Sequence, residues 1–146
     1  MSIKGKIVSL QFCPGYRKPM TPVKEIELIS QIGMSNDAHA KANSERQILL
    51  LEEETLNALQ LQPGIVKENI TTSGIALMEL SGGTRLRLGN EVILEITNVC
   101  HPCSRMEEIR PGLRIDLAGR RGMLARVVSG GVIRRGDSIQ LYDGRE

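Results

Sequence analysis

The segment 98–105 holds the residue types of this chain that are best suited to chemistry. Cys100 and Cys103 stand three residues apart, His101 lies between them, and Arg105 follows two residues after the second cysteine. A thiolate is a strong nucleophile and a soft metal ligand. Because these groups follow a predicted strand, their concentration at its end indicates metal or sulfur chemistry rather than packing.

Two kinds of functional site are alternatives for the cysteine pair. A structural zinc site needs four ligands, so Cys13 and His39 would have to complete the set from distant loops. A CxxC motif can also be a redox dithiol, because the motif lowers the pKa of one thiol. In the thioredoxin pattern the motif opens a helix early in a βαβ unit, whereas here it lies late in a β-rich chain.

The two cysteines of the motif differ in their expected roles. Cys100 continues the preceding strand, so it could be a small buried apolar residue. Cys103 follows Pro102, which fixes the local backbone, and the nearby Arg105 could hold the thiolate form. We therefore favour a functional role for Cys103 and take Cys100 as the second candidate for the reactive thiol.

Polar residues at two other places could bind a ligand. Asn69 and Thr71 fall on one face of a predicted strand. Glu68 and Asn69 could orient a ligand, or they could pin a barrel corner through hydrogen bonds. Asp37 and His39 stand two residues apart in a polar loop and could act as acid, base or ligand, or only bond the neighbouring backbone.

Arginine is concentrated late in the chain, and one pair lies between two glycines. Arg120 and Arg121, flanked by Gly119 and Gly122, could bring two guanidinium groups and backbone amides to an anion such as a phosphate. A plain basic turn is the alternative. The late concentration of arginine could therefore form either a local anion site or a solvated basic face.

The elements that must position these residues are mostly short strands. A helix is predicted over 52–60 and a helix start at 106–109, while 113–119 is predicted as a connector and Gly130-Gly131 as a turn. Many short strands with glycine turns favour a barrel or a sandwich, because closing the sheet removes exposed edges. We expect a mainly β fold of the α+β class, a β-barrel with one or two peripheral helices. The strands are predicted at 5–12, 23–32, 47–51, 67–72, 84–88, 91–97, 123–129 and 138–142.

Composition limits the remaining possibilities. The chain has 146 residues, which fits a single domain over 1–146, and its 2% aromatic content and net charge of +2 argue against a nucleic-acid partner. It has no apolar run long enough to span a membrane and no signal-peptide core, so we expect a cytoplasmic protein. Three cysteines in that compartment predict free thiols rather than a disulfide framework.

Taken in order, these motifs resemble those of the MOSC domain family, named for the C-terminal domain of molybdenum cofactor sulfurases. The run GIVKENITTSG and the Pro-Cys pair are the specific parts of the resemblance, whereas the glycine turns are generic. The matching pieces cover nearly the whole chain and are the loop Gly33…Asp37-Ala38-His39, 48–51 with the following helix, 64–74, 86–89, 100–103, 119–122 and 131–137.

The resemblance implies a barrel-like fold and a role around molybdenum cofactor (molybdopterin). Cys103 would either ligate molybdenum or carry sulfur as a persulfide. The polar strand around the pterin would be formed by Glu68, Asn69 and Thr71, and the loop with Asp37 and His39 would also bind the cofactor. The basic residues that would hold the pterin phosphate are Arg105, Arg120 and Arg121.

The chain departs from the family pattern in two places. Asn36 stands where the family usually has a second glycine before the aspartate. The molybdenum-binding reductases of the family carry an additional N-terminal β domain that helps to enclose the cofactor, and we expect this chain to be a stand-alone core without it.

Two functions from different classes follow from the resemblance. The first is a molybdenum-cofactor-binding protein that handles the cofactor or reduces N-hydroxylated compounds, with a separate electron donor and partners in cofactor biosynthesis. The second is a persulfide sulfur carrier without redox catalysis of its own, supplied by a separate cysteine desulfurase, because no intrinsic pyridoxal phosphate site is expected. A binding module with structural cysteines is the third reading.

Overall fold

The computed structural model describes residues 4–144. It contains eleven strands and three short helices, joined by turns and one 3-10 turn at Leu77–Glu79. The strands are β1 Lys4–Phe12, β2 Thr21–Val23, β3 Glu25–Ile29, β4 Gly33–Met34, β5 Ile48–Glu52, β6 Ile70–Ser73, β7 Arg85–Leu88, β8 Val92–Val99, β9 Met123–Ser129, β10 Gly131–Arg134 and β11 Ser138–Leu141, and the helices are α1 Glu53–Ala58, α2 Met106–Ile109 and α3 Leu113–Asp116.

Seven of the strands close into a barrel. Their order is β11-β7-β8-β9-β5-β6-β1, and β1 pairs with β11 to complete the ring, while β2 adds to the outside of β1. A second sheet has the order β10-β3-β4. The mainly β, barrel-like fold predicted from the sequence is therefore confirmed.

The barrel interior is filled by aliphatic side chains. The fully buried residues include Ile7, Leu50, Ile70 and Leu94. On β3 buried and exposed residues alternate, as expected of a strand with one face on the core. On β5 the first four residues are all buried, which confirms that this strand is covered on both faces.

The register places three connections around one line of paired residues in the barrel wall. Leu10 on β1 pairs with Ile70 on β6, Leu50 on β5 pairs with Ile70 and with Met123 on β9, and Val99 on β8 also pairs with Met123. The β1–β2 loop and the end of the β5–β6 crossover approach this line from one side, and the β8–β9 connection approaches it from the other, because β1 and β9 run in the same direction.

Four local predictions were wrong. The single strand predicted at 23–32 is divided, because β2 joins the barrel whereas β3 pairs with β10 in the second sheet. The strand predicted from residue 67 begins only at Ile70, since Lys67 has a positive φ of 70° and belongs to a turn. The predicted connector at 113–119 contains α3, and the predicted turn at Gly131 opens β10.

In the described part of the chain, no helix is long and apolar enough to cross a membrane.

Gly122 leads into β9 and lies against Leu50 of β5. It has φ +119°, and a Cβ there would overlap the carbonyl oxygen of Leu50. We expect Gly122→Ala to lower the free energy of unfolding by roughly 2 kcal/mol or more, because backbone atoms of β5 must shift. Urea denaturation would measure it. The control is Gly119→Ala, where φ is +79° but the space is open; an equal loss in both variants would contradict the packing argument.

Candidate functional site

A cleft of about 870 Å³ lies among the β1–β2, β5–β6 and β8–β9 connections. Its walls come from the loop after β1, residues 38–39, the turn 62–67 and the segment 103–109, and Arg121 also lines it. These segments are far apart in sequence. They adjoin because the strands that they follow or precede are neighbours in the barrel.

The two cysteines of the CxxC motif lie in different environments. Cys103 is exposed and lines the cleft, and its carbonyl oxygen accepts a hydrogen bond from the backbone N–H of Met106 as α2 begins. Cys100 is buried against Leu49 and Leu124. Cys100 therefore packs as a small apolar residue, and Cys103 is the thiol of this pair that a ligand in the cleft can reach.

The third cysteine, Cys13, is buried in the cleft wall, and its thiol donates to the carbonyl oxygen of Gly15 at 3.3 Å. Among residues 4–144 no three or more His, Cys, Asp or Glu side chains come together as metal ligands. The four-ligand zinc arrangement considered from the sequence is therefore not assembled in this part of the chain.

Positive charge predominates in the cleft walls. Arg17, Lys67, Arg105 and Arg121 line the cleft together with His39, and one carboxylate, Glu108, is also in the lining. Clustered positive charge in a concave surface attracts and retains anions.

Aromatic and ionic contacts link two walls of the cleft. The guanidinium groups of Arg17 and Arg105 lie 5.5 Å and 5.3 Å from the ring centroid of Tyr16, within the range of cation–π attraction. Arg17 Nη1 also lies 3.0 Å from Glu108 Oε1. Tyr16, Arg17 and Glu108 are exposed and Arg105 is partly exposed, so each contact contributes little to stability.

Arg121 is a buried arginine, only 6% exposed. Its Nη2 donates to the carbonyl oxygen of Val66 at 2.6 Å, but its Nη1 is buried and has no hydrogen-bond partner within residues 4–144. A buried guanidinium donor without an acceptor is costly, and a ligand oxygen in the cleft would remove that cost. Arg120 differs, because its Nε donates to the carbonyl oxygen of Asp116 and it is not among the cleft-lining residues.

Glu68 and Thr71 are buried behind the cleft wall rather than in it. Glu68 Oε2 accepts from the Gly64 N–H at 2.8 Å and from the Thr71 hydroxyl at 3.0 Å, and Gln11 Nε2 donates to Thr71 Oγ1 at 3.1 Å. Burial raises the pKa of Glu68, and the hydrogen bonds and the charge of Arg121 oppose that rise.

Asn69 and Asp37 form a second buried group. Asn69 Oδ1 accepts from the Leu49 N–H at 3.0 Å, and its Nδ2 donates to Asp37 Oδ1 at 3.1 Å. Asp37 also accepts from the backbone N–H groups of Cys13 at 2.6 Å and His39 at 3.1 Å. The hydrogen-bonded barrel corner considered from the sequence is thus present, and contact of these residues with a cofactor stays a prediction.

His39 is the titratable group of the cleft that changes charge near neutral pH. Its Nδ1 lies 3.6 Å from Asp37 Oδ2, and its side chain is half-exposed. The hydrogen bond to Asp37 raises the pKa of His39, while partial burial and the charges of Arg46 and Lys67 oppose that rise.

Of the residues singled out in the sequence, five line the cleft, namely Cys13, His39, Cys103, Arg105 and Arg121, and Asp37 joins them through its contact with His39. The structure adds Tyr16, Arg17 and Lys67, which sequence reasoning did not select. The only sequence signal for Tyr16 and Arg17 was their position in a basic loop between prolines. Lys67 lies inside the run GIVKENITTSG, but nothing in the sequence distinguished it as a ligand-binding residue.

His39 should make the stability of the protein depend on pH. Its pKa in the folded state is raised above the ordinary 6.5, so the added stability is fully present below about pH 6.5 and is lost as pH rises through the folded pKa. We expect His39→Gln to remove the fall in the free energy of unfolding that His39 causes as pH rises. Urea unfolding at several pH values would measure it. The exposed His101 supplies the control, His101→Gln; an unchanged decline in His39→Gln would contradict the expectation.

Two solved structures have the same fold. The YUAD protein from Bacillus subtilis superposes with a TM-score of 0.86 at 20% identity, covering 97% of this chain and 97% of that chain. YiiM from Geobacillus stearothermophilus superposes with a TM-score of 0.76 at 19% identity, covering 95% of this chain and 75% of that chain. At such identities the similarity concerns the fold.

Sequence comparison identifies the family. A protein named reductase from Gibberella moniliformis (strain M3125 / FGSC 7600) is 33% identical over 84 residues, which are 55% of this chain. The chain spans only 15% of the length of that relative. A family model described as the MOSC domain matches residues 30–140. The resemblance found in the sequence motifs is thereby confirmed, and the chain belongs to the MOSC domain family.

Proposed function

We propose that this MOSC domain binds molybdenum cofactor in the cleft, with the sulfur of Cys103 as a molybdenum ligand. It would act in handling of the cofactor or in the reduction of N-hydroxylated compounds. The observation that carries the proposal is the presence of an exposed thiol, Cys103, and a buried arginine, Arg121, in the walls of one cleft.

The residues present fit a phosphorylated pterin that carries molybdenum. The unpartnered Nη1 of Arg121 suits a phosphate oxygen, because guanidinium and phosphate groups match in charge and geometry. The Cys103 thiolate is a soft donor suited to a metal centre of this kind. The cleft volume of about 870 Å³ is within the range typical of cofactor sites.

Each side chain of the cleft has a proposed role. Arg121 would hold the phosphate, with Arg105 and Lys67 adding positive charge. His39 would lie beside the ligand, oriented by Asp37. Glu68, Asn69 and Thr71 would support the wall from behind, because they are bonded to backbone and to one another. A phosphate contact from Arg120 would require its side chain to leave the carbonyl oxygen of Asp116.

The proposal includes partners. When bound, the cofactor would supply redox chemistry at molybdenum, and the electrons would come from a separate electron-donating protein. Proteins of cofactor biosynthesis would deliver the cofactor. The free thiols of Cys13, Cys100 and Cys103 support a location in the cytosol, where thiols remain reduced.

A persulfide carrier is the second candidate, and the exposure of Cys103 favours it. An exposed thiol is accessible to the persulfide of a partner cysteine desulfurase, and the buried Cys100 is not. In this case Cys103 would receive one sulfur atom and pass it on without a bound metal.

Molybdenum content would test the assignment of Cys103. Protein purified from a host that makes the cofactor should carry about one molybdenum per chain, and Cys103→Ala should carry almost none because the sulfur ligand is lost. Elemental analysis beside intact mass would measure both. Cys100→Ala is the matched control, since Cys100 lies outside the cleft lining and should leave the metal in place.

The same experiment separates the two candidate functions. Molybdenum retained in Cys103→Ala would contradict ligation by this residue. A metal-free wild type whose mass rises by about 32 Da, only when Cys103 is present, would indicate the sulfur carrier instead.

The neighbouring arginines give a matched pair for the phosphate contact. Arg121→Gln should lower cofactor retention by roughly tenfold or more, because it removes the buried charge of the cleft, whereas Arg120→Gln should change it little. Molybdenum content per folded chain would measure this, with thermal unfolding as the check on folding. An equal loss in both variants would show that the cleft assignment of Arg121 is wrong.

A further inference from the structure

Two buried charged side chains beside the cleft each have an atom without a partner. Glu68 is fully buried and Arg121 is 6% exposed. Within residues 4–144, Glu68 Oε1 and Arg121 Nη1 are buried and make no hydrogen bond. Such atoms are uncommon in folded proteins, because leaving them unpaired is costly. Their presence next to the candidate site needs an explanation beyond packing.

The turn 64–68 connects the two side chains. Glu68 Oε2 accepts from the Gly64 N–H at 2.8 Å, and Lys67 N–H bonds back to the Gly64 carbonyl oxygen at 3.0 Å. The carbonyl oxygen of Val66, in the middle of the turn, accepts from Arg121 Nη2 at 2.6 Å. Glu68 and Arg121 therefore hold the same turn, and the charge of Arg121 acts on the Glu68 carboxyl.

The hydrogen bonds indicate where Glu68 would carry a proton. Oε2 is already the acceptor for Gly64 and for Thr71, whereas Oε1 has no donor among the described residues. A proton therefore fits on Oε1 without breaking a bond. Burial favours the neutral carboxyl and raises the pKa of Glu68.

We propose that Glu68 is a positioning residue that sets the charge presented by Arg121 to the cleft. When the Glu68 carboxyl is neutral, the charge of Arg121 is uncompensated and attracts an anion; when it is ionised, it neutralises that charge and anion binding weakens. The inference rests on the proposed function in one respect, that Arg121 is the anion-binding group.

Anion binding and proton binding must then support each other. An anion at Arg121 makes ionisation of Glu68 less favourable, so it raises the affinity of Glu68 for its proton, and by linkage the proton raises the affinity for the anion. The affinity for an anion of constant charge should fall as pH rises through the pKa of Glu68.

Other charged groups around the cleft must be separated from this effect. His39 loses its positive charge in the same direction, and it is bonded to Asp37, which joins the Glu68 segment through Asn69. Glu108 is paired with Arg17 at 3.0 Å. Lys67 and Arg105 add positive charge to the lining, and Tyr16 and the thiols of Cys13 and Cys103 also line the cleft. All of these groups are unchanged in the variants compared below.

Sulfate is the probe, because it remains a dianion from about pH 5 to pH 9 and needs no cofactor. Its affinity, followed by NMR shifts of cleft amides, should fall roughly tenfold more in the wild type than in Glu68→Gln over that range. The isosteric Gln keeps an oxygen acceptor for Gly64 and Thr71 but cannot ionise. Parallel pH profiles in wild type and Glu68→Gln would overturn the proposal.

Two further variants make the comparison specific. Glu52→Gln is the matched control, because burial also raises the pKa of Glu52 but this residue does not line the cleft, and it should follow the wild type. His39→Gln removes the charge change of His39. In protein that carries His39→Gln, the further substitution Glu68→Gln should still reduce the pH dependence of sulfate affinity. If the Glu68→Gln effect vanishes there, the pH dependence belongs to His39 and the proposal is wrong.

A measurement on the wild type decides the question even if Glu68→Gln does not fold. Carboxyl carbon NMR should show that sulfate moves the titration midpoint of Glu68 to higher pH and leaves that of Glu52 in place. An unmoved Glu68 midpoint would overturn the inference. Molybdenum retention is measured separately. If molybdenum is retained but the Glu68 midpoint does not move, the proposed function stands and only this inference is wrong. If the midpoint moves but no molybdenum is retained, this inference stands and the proposed function is wrong.

Discussion

The bonds of Asn69 hold together the end of the barrel on which the cleft depends. Its backbone N–H donates to the carbonyl oxygen of Leu49 at 2.9 Å, and its side-chain oxygen accepts from the Leu49 N–H at 3.0 Å. Its own carbonyl oxygen accepts from the Gln11 N–H at 3.0 Å, and its amide reaches Asp37. One buried polar residue thus ties β1, β5 and the loop after β4 to the start of β6. An aliphatic residue could fill the same space and keep the two backbone bonds, but it would leave the Leu49 N–H without its side-chain acceptor and the Asp37 carboxylate with one donor fewer.

Through Asp37, this network extends to the cleft walls. The Asp37 carboxylate fixes the backbone of Cys13, where the β1–β2 loop begins, and the backbone of His39, where the next wall begins. The weak contacts of Tyr16 and Arg17 with the segment after Cys103 then act between walls whose bases are already held. Strong buried bonds set the position of the cleft, and weak exposed contacts leave its rim free to adjust.

Strands and fold class could be predicted because they depend on local alternation and on turn residues. Cys103, Arg105 and Arg121 could be selected because their chemistry is unusual for their positions. The sequence could not show which of Arg120 and Arg121 points into the cleft, since adjacent residues differ only in the direction that the folded turn imposes. Glu68 and Asn69 were equally compatible with binding a ligand and with hydrogen bonds that hold a barrel corner, because the sequence does not reveal the partner of a polar side chain. Tyr16 was missed because the wall it faces is distant in sequence.

The place of the cleft follows from a single parallel pairing in the barrel. Because β5 and β6 run parallel, they cannot be joined by a tight turn and need a crossover, here the segment 53–69. That crossover returns to the start of β6, beside the point where β1 ends, and its last turn carries Lys67 in the wall and Glu68 behind it. The antiparallel strands β8 and β9 could have been joined by a hairpin, yet they are joined by the segment 100–122, which brings Cys103 and Arg121 to the same cleft. The barrel therefore provides the rigid support, and the two long connections bring thiol, guanidinium and carboxyl groups together around the cleft.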